Sequence, residues 1–220
     1  EGVLHAKVKF PMYAQVKRDG VFALLLSLNG AVAIFNRTGK RMTNCEKLEE
    51  YYESTNLNDG VYFGEMLSRD CSLEQLSGVI NPNRVHALEE EHQVAIKNNL
   101  YIDFFDQVSI QDFVRGSSDI TYYNRWTVLV SKINTRADIL NLDVVWDEAQ
   151  VRAYAQSCTD AGEEGAVFKQ DVEWLAGAKD WHQMKIVRGI HVDLECIGYE
   201  AGTGKYEGLV ANLLFRYKEG

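Results

Sequence analysis

The stretch Phe10-Pro11-Met12-Tyr13-Ala14-Gln15-Val16-Lys17-Arg18-Asp19-Gly20-Val21-Phe22-Ala23-Leu24-Leu25-Leu26 decides how this chain is read. Two apolar runs, Met12 to Val16 and Val21 to Leu26, read as strands, and Lys17-Arg18-Asp19-Gly20 between them holds a lysine at a tight turn. A chain presents an amine as a nucleophile in this way. Alone the string is weak, because Asp-Gly after a strand is an ordinary hairpin turn and a lysine beside it is ordinarily a solvated edge charge. Its weight comes from five further segments in a fixed order along the chain: Arg37-Thr38-Gly39-Lys40, Gly64-Glu65-Met66-Leu67, the aromatic-aspartate pair Phe105-Asp106, Glu164-Gly165-Ala166-Val167-Phe168-Lys169, and Trp181-His182-Gln183-Met184-Lys185.

A chain of 220 residues with 46% hydrophobic content can bury a full core, either as one large domain or as one with a small appendage. No apolar run approaches the roughly 18 residues of a membrane helix, and Glu1-Gly2-Val3-Leu4-His5 has no signal-peptide character, so the expectation is a soluble, cytoplasmic protein with no membrane partner. Cys45, Cys71, Cys158 and Cys196 are scattered, without metal-ligand spacing, and read as reduced bystanders. The net charge of -9 argues against a nucleic-acid partner until its distribution is considered. Lys17, Arg18, Arg37, Lys40, Arg41, Lys169, Lys185 and Arg188 all fall in or beside the motif segments, which predicts a basic cleft in an acidic body. The chain lacks an initiator Met and its last segment reads as a strand without a partner, as expected of a piece of something longer.

The coarse pattern is mixed. Asn29-Gly30 predicts a hairpin joining Val21–Leu26 to Ala31–Phe35. Helices are expected over Asn44–Tyr52, from Ser72 with its capping box to Gln75, over Val85–Asn98, around Tyr122–Ile133, and from Asp147 to Gly162. Strands are expected at Gly60–Leu67, with Glu65 interrupting an apolar face, and at Leu100–Val108, Gly165–Gln170 and Gln183–Val187. This is an α+β chain of antiparallel sheets flanked by helices. From His191 the pattern is strand, Gly-rich turn, strand, ending at Tyr217, which reads as a second small β module. Gly202-Thr203-Gly204-Lys205 lacks the first glycine and the final Ser or Thr of a phosphate loop and reads as a turn.

A lysine attacking the α-phosphate of a nucleotide needs its amine deprotonated, the phosphate charge offset and the leaving pyrophosphate stabilised. Lys169 and Lys185 are candidates for the phosphate, Glu164 for a divalent metal, Glu65 for a ribose hydroxyl and Phe105 for stacking on a purine. Singly, each has a bland alternative: core packing for Phe105, a solvated loop charge for Glu164, a strand-edge residue for Lys169 and a turn cation for Arg37.

Together the ordered segments resemble the covalent nucleotidyltransferases, specifically ATP-dependent DNA ligases of the bacteriophage type, and Phe10 through Gly20 carries the resemblance most strongly. It spans from about Phe10 to the end. It implies a nucleotidyltransferase (adenylation) domain, ATP-grasp-like, over 1–188, followed by the first strands of an incomplete OB-fold over 189–220. It implies Lys17 as the residue that takes AMP, Asp19 and Gly20 shaping its loop, and Gln15 and Val16 in the segment near the adenine edge. It further implies Arg37 at the ribose and later at the nick 5′-phosphate, Glu65 at the ribose, Phe105 on adenine, Glu164 at Mg²⁺, and Lys169 and Lys185 at the α-phosphate. The implied partners are ATP and nicked duplex DNA, sealed through lysyl-AMP and a DNA-adenylate in repair or replication, and the implied state is a monomer.

Two departures stand out. Phe22 occupies a position that is often arginine in that family, and Gln183 replaces the first of two lysines in the last motif. The alternatives are an RNA ligase or mRNA-capping guanylyltransferase of the same superfamily, and a nick-binding module that has lost turnover.

Overall fold

Lys17 ends one strand and Val21 begins the next, yet these strands belong to different sheets. In chain order the elements are β1 (Met12–Lys17), β2 (Val21–Leu28), β3 (Ala31–Phe35), α1 (Glu46–Ser54), β4 (Gly60–Ser68), α2 (Leu73–Val79), α3 (Glu91–Asn98), β5 (Leu100–Val108), α4 (Ile110–Arg115) and β6 (Ser117–Ser118). They continue with α5 (Tyr122–Lys132), β7 (Asp143–Val145), α6 (Glu148–Asp160), β8 (Gly165–Lys169), β9 (Trp174–Leu175), β10 (Gln183–Val187), β11 (Glu195–Ala201), a short 3₁₀ turn at Gly204–Tyr206 and β12 (Val210–Arg216). This computed structural model describes residues 8–69, 71–133, 138–178, 181–189 and 194–216. The expected strand residues His191 and Tyr217 lie outside them.

The first sheet has the order β10-β8-β1-β7 and the second β3-β2-β4-β5, both antiparallel. The Asp-Gly hairpin reading therefore fails at Gly20: the three residues Arg18, Asp19 and Gly20 carry the chain from one sheet to the other. The Asn29-Gly30 turn does close a hairpin. Leu28 pairs with Ala31, and Asn29 and Gly30 have φ of 53° and 82°, the left-handed pair such a turn requires.

Alternation along β1 sends Met12, Ala14 and Val16 toward α6, where they meet Val151, Ala155, Ala166 and Phe168. The helix starts where Asp147 accepts a hydrogen bond from the Gln150 amide at 2.8 Å, and its Val151, Ala155 and Cys158 recur at helical spacing on the sheet side. The second sheet buries Ala23, Leu25, Ile34, Met66, Ile102 and Phe104 against its helices. Each of these side chains other than Ala23 contributes about 1.5–3 kcal/mol on burial. Its other face gathers Phe22, Leu24, Leu26, Val61, Phe63 and Val108 with Trp174.

The expected helix over Val85–Asn98 forms only from Glu91 onward, and Val85 is 86% exposed. The Arg84 side chain donates to the carbonyls of Gly78, His86 and Ala87, so a guanidinium rather than a helical ladder satisfies this stretch. Helix α4 and the short strands β6, β7 and β9 were not anticipated.

The chain divides into two compact units, Glu1–Val187 and Arg188–Gly220. The described part of the second is one antiparallel hairpin, β11 with β12, with register shifts at Cys196/Gly198 and Glu200/Ala201.

Candidate active site

The face of β1 turned away from α6 presents Tyr13, Gln15 and Lys17. In the β1–β8 register Lys17 stands opposite Gly165, Gln15 opposite Val167 and Tyr13 opposite Lys169. On β10, Val187, Lys185 and Gln183 continue the same three rungs. Lys17, Lys169 and Lys185 therefore share one face of one sheet. Val16 turns its side chain the other way, into the α6 core. The central strand tolerates only glycine at 165, because a Cβ there would lie 2.1 Å from the Ile186 carbonyl oxygen.

At the Lys17 end the site is ionic. The ammonium donates to a Glu164 carboxylate oxygen. Arg18 donates through Nε to Asp103 Oδ2 at 2.7 Å and through Nη1 to Glu163. Glu65 lies in the field of Lys17, Arg37, Glu164 and Asp19, and burial pushes its carboxyl up to about 7. Lys17 and Arg37 oppose that rise, while Glu164 and Asp19 add to it. Gly20 permits this gathering: a Cβ would lie 2.5 Å from the Met66 carbonyl oxygen and 2.8 Å from Glu65 Cγ. Asp19 is exposed beside it.

Arg37 is exposed on a turn built around Asn36, whose Oδ1 accepts from Thr38 N, Thr38 Oγ1 and Lys40 N at 2.9–3.0 Å. Its guanidinium lies 4.7 Å over the ring of Phe22, and Phe22 faces Glu65 across the β2–β4 pair. Gly20, Phe22, Arg37, Thr38, Glu65 and Ser77 line a cleft of about 350 Å³.

The other end of the face is aromatic. Between Phe63/Gly64 on β4 and Phe104/Asp106 on β5 the register slips by one residue, leaving Phe105 as the extra residue of a β-bulge. The bulge puts Phe105 and Asp106 on the same side of the sheet. Asp106 makes a buried bidentate pair with Arg125 at 2.9 and 3.0 Å, while the Phe105 ring stays partly open. Lys169 Nζ lies 4.5 Å from the centre of that ring and donates to Gln15 Oε1 at 3.3 Å and Tyr122 OH at 3.1 Å. Burial lowers its pKa to about 8; Asp106 counteracts this and Arg125 reinforces it.

The predicted residues thus form two groups. Lys17, Asp19, Gly20, Arg37, Glu65 and Glu164 gather at one end, and Gln15, Phe105 and Lys169 at the other. Lys169 is not brought to Lys17: four strand residues place their Cα rungs roughly 13 Å apart. Lys185 is exposed on the rung between them, two strands from β1. The basic cleft is also more neutral than expected, since Lys17, Arg18 and Arg41 are each engaged by carboxylates. Sequence reasoning missed Tyr122, Arg125, Asp103 and Glu163 as parts of the site. A cation on the apolar side of the expected helix at Tyr122–Ile133 was the available signal for Arg125.

Comparison with protein-family models and with curated proteins gave no match. Among solved structures the chain is similar to one named Pmar-Lig_PreS3, with a TM-score of 0.76 and 18% identity, over 96% of this chain and 50% of that one. It is also similar to a structure from an analysis of Lig E DNA ligases (TM-score 0.65, 14% identity, 98% of this chain and 79% of that one). A third is the ATP-dependent DNA ligase from bacteriophage T7 in complex with ATP (TM-score 0.60, 17% identity, 93% and 74%). The chain spans about half the length of the first of these. Two antiparallel sheets flanked by helices, met in the same arrangement in these structures, give this chain the fold of the nucleotidyltransferase domain of ATP-dependent DNA ligases.

Proposed function

We propose that this chain is the adenylation part of an ATP-dependent DNA ligase, that Lys17 takes AMP from ATP, and that the AMP then passes to the 5′-phosphate of nicked duplex DNA before the 3′-hydroxyl displaces it. One observation carries the reading: one sheet face has an ion-paired lysine, Lys17, at one end and at the other a lysine, Lys169, whose ammonium lies 4.5 Å over the Phe105 ring of the second sheet. In the second unit, from about residue 189, the hairpin corresponds to the start of an OB-fold. We read the protein as acting as a monomer.

In the resting chain the Lys17 ammonium is held by Glu164. Once it loses its proton, the amine attacks the α-phosphorus, an N–P bond forms and the P–O bond to pyrophosphate breaks. That change releases Glu164, a hard oxygen donor at the phosphate end, with Glu65 and Asp19 close by. Mg²⁺ takes one or two carboxylates and completes its shell with phosphate oxygens and water, so these residues fit it, with Glu164 as the ligand. When bound, the ion would offset charge on the ATP phosphates. Glu65 accepts or donates to a ribose hydroxyl, and Phe105 stacks on adenine. Gln15 and Lys169 sit at the edge of that ring, a purine role for Lys169 in place of the α-phosphate role the resemblance implies. Lys185 is left as the strand cation nearest the phosphate.

The test is intact-protein mass after incubation with ATP and Mg²⁺, with Lys17→Ala as control, followed by nicked DNA. One AMP on Lys17, absent in the variant and discharged by the nick, is the expected result. Labelling by GTP instead of ATP would indicate a capping enzyme, and discharge only by nicked RNA would indicate an RNA ligase. No label together with salt-sensitive nick binding would leave a binding module.

A further inference from the structure

Arg18 links the two sheets beside the nucleophile. Its Nε and Nη1 lie on different edges of the planar guanidinium and reach different carboxylates. Asp103 lies on β5 in the second sheet, and Glu163 lies on the loop entering β8 in the first. Each of these carboxylates neighbours one that faces Lys17. Asp103 stands directly opposite Glu65 across the β4–β5 pair, and Glu163 immediately precedes Glu164.

The local charge balance makes this link directional. The Asp103 side chain is only 6% exposed. Burial pushes its carboxyl above the usual range, Arg18 draws it back and Glu163 opposes Arg18. Asp138 also feels Asp103. Without the guanidinium, Asp103, Glu163, Glu164 and Glu65 would share this region with Lys17, Arg37 and Arg69 as the cations near them. Like charges that close move apart if the backbone allows.

We infer that Arg18 is a positioning residue, a strap across the sheets that fixes where Glu65 and Glu164 stand relative to the Lys17 amine. The inference rests on the reading of Lys17 as the nucleophile. An ammonium at position 18 is a single point charge and could not hold both carboxylates in this planar geometry, so Arg18→Lys retains the charge and loses the strap.

The test uses Glu163→Gln, Arg18→Lys and the double variant Arg18→Ala/Asp103→Asn, because Arg18→Ala alone leaves a buried carboxylate uncompensated and risks unfolding. The first readout is acylation of Lys17 by a small activated ester, which transfers its acyl group to the amine and releases its alcohol, mapped by peptide mass and normalised to the buried Lys169. With Glu164 no longer held against it, Lys17 in the double variant is expected to label about two- to fivefold faster, the equivalent of a partly exposed ion pair. Arg18→Lys and Glu163→Gln should fall between. The second readout is AMP transfer, expected to slow about tenfold or more at saturating ATP with little change in KM, because geometry and not nucleotide binding is lost. Unchanged Lys17 labelling in folded variants overturns the strap. So does labelling of Lys17 and Lys169 rising in parallel, which means general loosening. If the wild-type chain takes no AMP, the adenylation reading fails, and the labelling readout still decides the role of Arg18.

Discussion

The guanidinium of Arg37 lies 4.7 Å from the ring centre of Phe22, and that ring stands directly opposite Glu65. At a position where the resemblance expects a cation, the chain has an aromatic face that steers a cation from the neighbouring turn. Phe22 also packs with Phe63 and Phe105, so it joins the ionic end of the site to the aromatic end.

The Arg37–Phe22 contact is measurable as a coupling energy. Phe22→Leu, Arg37→Ala and the double variant should form a cycle with about 0.5–1 kcal/mol of coupling in denaturant melts, as expected for a largely exposed cation–π pair. A coupling indistinguishable from zero would mean that the ring does not hold the guanidinium.

Glu65 should make stability fall as pH rises. Its folded pKa is about 7 against an ordinary 4.5, so between those values the unfolded chain ionises while the folded chain keeps its proton. Below pH 4.5 both states are protonated and no penalty exists; above 7 the full penalty is present. Glu65→Gln removes the titration. The stability of the variant relative to wild type should therefore climb from pH 4.5 to 7 and then level off.

Lys169 works in the opposite sense. Its folded pKa is about 8 against an ordinary 10.5, so the folded chain carries a penalty below pH 8 that is relieved as pH rises to 10.5. Relative to Lys169→Met, wild type should gain stability across that window in chemical denaturation. With ATP, and with Lys169 at the base as proposed, the same variant is expected to raise KM about tenfold and change the maximum rate far less. A loss confined to the maximum rate would return Lys169 to the phosphate.

The buried Arg125–Asp106 pair is costly to break singly. Arg125→Met leaves Asp106 without its cation and should destabilise the fold by about 3–5 kcal/mol, whereas Arg125→Met/Asp106→Leu should recover much of that loss. Urea melts of the two variants check this directly. If the single variant is as stable as the double, the pair does not anchor the bulged strand.

Much of the fold was legible because it is local. The Asn29-Gly30 turn, the capping box at Ser72 and the cap at Asp147 each act within a few residues. What escaped depends on distant pairing. Nothing in Lys17-Arg18-Asp19-Gly20 says that its flanking strands join different sheets, and Arg18 meets partners 85 and 145 residues away. The bulge at Phe105 is invisible to an alternating pattern, since an extra residue reads like any other apolar position. Charge and the resemblance together point Lys169 at phosphate; the β1–β8 register, which a single segment does not reveal, sets it four residues along the face from Lys17, at the aromatic end.

Only Arg18, Asp19 and Gly20 separate Lys17 on one sheet from Val21 on the other, and four extended Cα steps span at most about 14 Å. At the aromatic end, β5 leaves the second sheet at Val108 and the chain re-enters the first only at Asp143. At that end the tie between the sheets is a pin of hydroxyl rather than of chain: the Tyr122 hydroxyl donates both to Gln15 Oε1 on β1 at 2.6 Å and to the Phe105 carbonyl on β5 at 3.0 Å. The two sheets are thus stitched covalently beside Lys17 and reversibly beside Phe105, so a change in their separation costs hydrogen bonds at one end and is limited by chain length at the other.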